Sequence, residues 1–135
     1  MPSPVNQKLG KRVLVIEPDA AVANGLEFVL SQQGFDVQTA RDDASALQAF
    51  SPGRFEAVTT SYHLGAMNGL DLARAIKAQC PTQPIVLISS QGLTAAARGE
   101  ESLFVGEIQK PFAIEDLLAI ITVACRLGAS HPEAA

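Results

Sequence analysis

Two periods of apolar spacing alternate along the chain. Arg12 to Glu17 is a short β-branched run, read as a buried strand. Asp19 then stands where a helix N-cap belongs, and Val22, Leu26, Val29 and Leu30 follow at helical spacing. Gly34 suits the stop after that helix. Phe35 to Thr39 reads as a second strand, and Asp42 or Asp43 as the cap of a short helix with Ala46, Leu47 and Phe50 inward.

The alternation continues. Phe55 to Thr60 is a third strand, and a loop from Ser61 to Met67 leads to a helix over Asn68 to Cys80. Ile85 to Ile88 is a fourth strand, followed by an Ala-rich helix from Gln91 to about Glu101. Val105 to Gln109 is a fifth and weaker strand, because Gly106 and Glu107 interrupt it. Pro111 is expected in the first turn of a last helix whose stripe is Ile114, Leu117, Leu118 and Ile121. Five β-α repeats predict an α/β fold: a doubly wound parallel sheet with helices on both faces. Polar ends at 1–10 and 128–135 read as a leader and a tail around a body at 11–127.

Composition narrows the class. The 135 residues carry 10 Lys+Arg against 14 Asp+Glu, a net charge of −4 that argues against binding nucleic acid by phosphate neutralisation. Lys8, Lys11 and Arg12 lie near the start and the other seven basic residues are scattered, with no cluster to face an anionic partner. The longest apolar run, Leu117 to Cys125, is too short to span a bilayer, and the first residues lack a signal-peptide core. With Cys80 and Cys125 on different helices and no metal-ligand spacing, the expectation is a reduced cytoplasmic protein.

In a doubly wound sheet the ligand site lies beyond the carboxyl ends of the strands. The residues there are Glu17, Pro18, Ser61, Ser89 and Lys110. With Met67-Asn68-Gly69-Leu70 after the third strand, and Lys110-Pro111-Phe112 after the fifth, they resemble the receiver domain of two-component response regulators over about residues 11–127. The resemblance implies a flavodoxin-like fold with strand order 2-1-3-4-5. It also implies a phosphorylation pocket in which an Asp ends the third strand and an acidic pair follows the first.

This chain departs from that pattern. Ser61 stands at the acceptor Asp, and Pro18 at the second member of the acidic pair. A serine hydroxyl needs an adjacent base to act as a nucleophile. One Glu is a poor start for Mg²⁺, and Asp19 is expected to cap its helix instead, so the expectation is weak or absent Mg²⁺ binding and no other cofactor. Lys110 is expected to pair with Glu17, and Ser89 to serve either as the family's mobile hydroxyl or as a strand-end group bonded to backbone. Glu107 holds the switch position, where the family has an aromatic residue, and Tyr62 is not placed to substitute.

The resulting expectation is a degenerate pseudo-receiver, not an enzyme. It would act in two-component phosphorelay signal transduction through a protein partner, with no nucleic acid or membrane bound directly. The resemblance places dimer or output contacts on the fourth helix, fifth strand and fifth helix, and the thinly charged stretch Thr94 to Arg98 suits a contact surface. One alternative is phosphate on Ser61, or on a carboxylate such as Glu56 or Asp71. A remote one is a small hydrolase using Ser61 and His63, which lacks a nucleophile elbow. A flavin-binding loop after the first strand is likewise missing.

Overall fold

A computed structural model of the chain describes residues 11–90 and 101–129. Its strands are β1 (Arg12–Ile16), β2 (Asp36–Ala40), β3 (Ala57–Ser61), β4 (Ile85–Ser89) and β5 (Gly106–Gln109). All pairings are parallel, in the order β2-β1-β3-β4-β5. The doubly wound five-stranded sheet and its 2-1-3-4-5 order are those expected. The helices are α1 (Ala20–Gln32), α2 (Asp43–Ala49), α3 (Gly69–Gln79) and α4 (Ile114–Ala129), with a 3-10 turn at Glu101–Leu103. The expected fourth helix, Thr94 to Arg98 included, lies outside the described residues apart from Glu101, as does the leader at 1–10.

Alternation along the buried strands builds two core layers. Val13, Val15, Ala57, Val86 and Ile88 face α1 and α4, where they meet Leu26, Leu30, Leu117 and Ile121. Leu14, Ile16, Val58 and Ile85 point the other way, against Ala46, Phe50, Leu72 and Ile76 of the α2 and α3 side. Cys125 belongs to the first layer and Cys80 to the second, so the sheet separates the two thiols. β5 has no fully buried residue, as befits a short edge strand that begins only at Gly106.

The helix starts follow the capping logic of the sequence. Asp19 accepts hydrogen bonds from the Ala21 and Val22 amides, and Asn68 accepts one from Asp71. Of the two candidates for α2, Asp42 is the cap, in a capping box with Ser45. These Ser45 bonds hold the Asp42 carboxyl below its ordinary range.

Three expectations need correction at the carboxyl end. Pro111 is not in the first turn of α4: Ala113 is the first acceptor, taking hydrogen bonds from the Asp116 and Leu117 amides, and Lys110-Pro111 is a cis bond ahead of it. Ile114 therefore sits at the exposed start of α4, and the buried stripe runs through Leu117, Ile121, Ala124 and Cys125. The ordered body also extends past 127, because Gly128 packs directly beneath the Glu56 carbonyl, where a Cβ would collide with it. Among the described residues no helix is long and apolar enough to cross a membrane.

Candidate functional site

Parallel strands bring Glu17, Ser61, Ser89 and Lys110 to one edge, since each follows or ends a strand there. A cleft of about 110 Å³ opens at that edge, lined by Glu17, Pro18, Ser61, His63, Ser90 and Lys110 among others. The Ser61 hydroxyl donates to Glu17 Oε1 at 2.5 Å, and Lys110 Nζ reaches the same oxygen at 3.2 Å. The Asp19 amide donates to Glu17 Oε2 at 3.1 Å. A carboxylate only 2% exposed is thus matched by one cation, one hydroxyl and one amide, as a buried charge requires.

The surrounding backbone explains how these groups meet. Gly69 opens α3 with its amide donating to the Tyr62 carbonyl at 2.6 Å, and any Cβ there would run into the Ser61 carbonyl. Only glycine lets α3 start this close to the end of β3. On the other flank Arg41 Nη2 and Nε donate to the Pro18 carbonyl at 2.7 and 3.0 Å, fixing the turn that follows Glu17. Sequence reading missed Arg41, because nothing along the chain ties it to a residue on another loop.

Ser89 is not the backbone-bonded strand-end group that was one of its two readings. Its hydroxyl donates to Glu107 Oε2 at 3.0 Å, neither to backbone nor into the cleft. Glu107, which the resemblance sets at the switch position, is thus the partner of the strand-end hydroxyl. Tyr62, like Phe104, packs against the Leu70 and Leu87 cluster.

The donor set does not fit Mg²⁺. Both Glu17 oxygens are engaged, Pro18 offers no side-chain oxygen and its carbonyl serves Arg41, while the Asp19 carboxylate caps α1. No group of three or more metal-ligating side chains occurs among the described residues. A Ser/His pair is equally unsupported, since Ser61 gives its proton to Glu17 while His63 is exposed and stacks edge-on with Tyr62. Glu56 is not mid-strand: it precedes β3 at the opposite edge of the sheet, where Arg12 holds it. Asp71 is exposed and pairs with Arg74 at 2.8 Å.

The fold and sequence have counterparts among known proteins. The model of the response regulator receiver domain family matches residues 13–122. The DNA-binding response regulator MtrA of Mycolicibacterium paratuberculosis is 30% identical over 122 residues, covering 90% of this chain and 54% of that protein. The alkaline phosphatase synthesis transcriptional regulatory protein SphR of Synechococcus elongatus is 31% identical over 131 residues, covering 90% and 51%. The chain therefore spans about half the length of these relatives. Among solved structures, the non-phosphorylated HemR receiver domain of Leptospira biflexa superposes with a TM-score of 0.81 at 24% identity, over 92% of this chain and 99% of that one.

Proposed function

This chain belongs to the response regulator receiver domain family of two-component signalling, and we propose that within it the chain is a pseudo-receiver, signalling by protein contact and not by phosphate on an aspartate. One observation carries the reading: where the family has its acceptor Asp, the Ser61 hydroxyl is hydrogen-bonded to Glu17 at 2.5 Å. Glu17 and Lys110 balance each other, so the pocket is close to neutral without a divalent ion. A phosphoryl group arriving on Ser61 would lie against the Glu17 carboxylate, with Lys110 the only Lys or Arg lining the cleft among the described residues.

The degenerate pocket is then Glu17, Pro18, Ser61 and Lys110, with Ser89 and Glu107 forming a separate pair at the switch position. The output face is taken to be β5, α4 and the helix expected over Gln91 to about Glu101, which lies almost wholly outside the described residues; Val105, Val123 and Leu127 are exposed on or beside β5 and α4. It would bind an effector, a kinase-side protein or a second copy. The chain is taken to be cytoplasmic and to have no catalytic activity of its own.

The test is intact mass after incubation with acetyl phosphate and Mg²⁺. No added phosphoryl group is expected, and a Mg²⁺-dependent, acid-labile addition would sink the reading. The double variant Pro18→Asp with Ser61→Asp should gain Mg²⁺ affinity, read by calorimetry. No gain would count against the assignment of these two positions.

A further inference from the structure

A second recess lies at the other end of the sheet. It is a groove of about 380 Å³ between the end of α1, the start of β2 and the second half of α4. That volume falls in the range of about 300–1,000 Å³ typical of small-molecule sites. Phe35, Leu118 and Cys125 line it, and Leu118, Thr122, Cys125 and Arg126 share one helix face by their spacing. The Thr122 hydroxyl donates back to the Leu118 carbonyl at 2.7 Å, so its proton is already used. Lys11 and Arg126 complete the charged part of the lining, which contains no carboxylate.

The cations single out this groove. The described residues include eight Lys and Arg. Arg12, Arg74 and Lys110 form ion pairs. Arg41 and Lys77 donate to the Pro18 and Pro81 carbonyls. Arg54 reaches Gln38 and lies over the Phe55 ring. Among the described residues only Lys11 and Arg126 have no such partner, and both line the groove. In a chain of net charge −4, two uncompensated cations on one apolar recess form a local field for an anion. They stand far apart in sequence, which is why no basic cluster is visible along the chain.

Among the described residues no carboxylate lines the groove to cancel that field. Burial, with a smaller contribution from the Glu56 charge, pushes the Cys125 thiol up to about 12, so it stays neutral. The Glu56 carboxylate is the acid that acts on this thiol, and it is held by the Arg12 amide and guanidinium at 2.6 and 2.9 Å. We propose that the groove binds a small amphipathic carboxylate, its apolar chain against Phe35, Leu118 and Cys125 and its head at Lys11 and Arg126. This site is independent of the pocket at the carboxyl edge.

Sodium decanoate below its micellar concentration is the probe, titrated into the full chain by calorimetry and followed by amide NMR. Saturable binding is expected, with shifts at Thr122, Cys125 and Arg126 and none at Ser61 or Lys110. The double variant Lys11→Gln, Arg126→Gln alters side chains that have no hydrogen-bond or ion-pair partner among the described residues and should weaken decanoate by about tenfold or more. Decanol should bind more weakly than decanoate and be indifferent to that variant. The proposal is overturned by absent saturation, by unchanged decanoate affinity in the double variant, by equal affinity for decyltrimethylammonium, or by shifts confined to the other edge.

Discussion

Glu17 and Glu56 are two carboxylates at opposite ends of one sheet, each facing a cation. Glu17 follows β1 at the carboxyl edge, and Glu56 precedes β3 at the amino edge. The partners of Glu56 come from a single residue: the Arg12 amide, Nε and Nη2 donate at 2.6, 3.2 and 2.9 Å. Those of Glu17 come from three places, the end of β3, the residue after β5 and the entry to α1. A carboxylate served by one neighbour is a staple between two strands. One on which three segments converge is where a change can be felt across the fold.

The comparison predicts unequal losses when each pair is broken. The Glu17 side chain is 3% exposed and that of Lys110 33%, so removing the cation strands a charge that water hardly reaches. Lys110→Met should cost about 3 kcal/mol, read from urea unfolding. Adding Glu17→Gln to that variant should recover much of the loss, since the stranded charge is then gone. A loss below about 0.5 kcal/mol would mean that the pair is solvated, and the contrast with the amino edge would fall.

The amino edge should respond less, and with a pH signature. Burial pushes the Glu56 carboxyl up, but the Arg12 hydrogen bonds and charge outweigh it and hold the group below its ordinary value. A depressed carboxyl contributes stability above its unfolded pKa, and that contribution is lost as pH falls through its folded pKa. Glu56→Gln should therefore cost about 1–2 kcal/mol near neutrality. The gap to the parent should hold down to about the ordinary Glu value of 4.5 and close below it. A gap that closes between pH 7 and 5 would contradict the depressed carboxyl.

How legible these two ends were in the sequence differs for a physical reason. Strand-end positions follow from local apolar runs, so Glu17, Pro18, Ser61 and Lys110 could be placed together once the sheet was read as parallel. The cap at Asp19 was equally local. Contacts set by register or by loops were not. Arg41 on the Pro18 carbonyl joins two turns, and the Lys11 and Arg126 groove joins the two ends of the chain. The exposed Ile114 was misread because the point where α4 begins depends on the turn at Lys110-Pro111, which helical spacing alone does not reveal.

Ser61→Ala sharpens the Glu17 side of the comparison. It removes one of three donors from a buried carboxylate while leaving Lys110 and the Asp19 amide in place. The expected cost is about 1 kcal/mol by urea unfolding, smaller than for Lys110→Met because no charge is stranded. A cost approaching that of Lys110→Met would make the hydroxyl, not the cation, the main partner of Glu17.

The smallest effect is at Glu107, and it tests where the Glu17 cluster stops. Ser89 and Gln109 are register partners across β4 and β5, as are Leu87 and Glu107, so the Ser89 hydroxyl reaches Glu107 diagonally along the edge pair. Glu107→Gln keeps an acceptor carbonyl and should change stability by less than about 0.5 kcal/mol, whereas Glu107→Ala leaves the buried hydroxyl without this acceptor and should cost about 1 kcal/mol. Ser61 and Ser89 end adjacent strands, but their protons go to different carboxylates. Glu107→Ala and Ser61→Ala should then add, with a coupling under about 0.5 kcal/mol. A larger coupling would join the switch position to the Glu17 cluster as one network, and the carboxyl edge would differ from the amino edge by even more than the Glu17 partners alone imply.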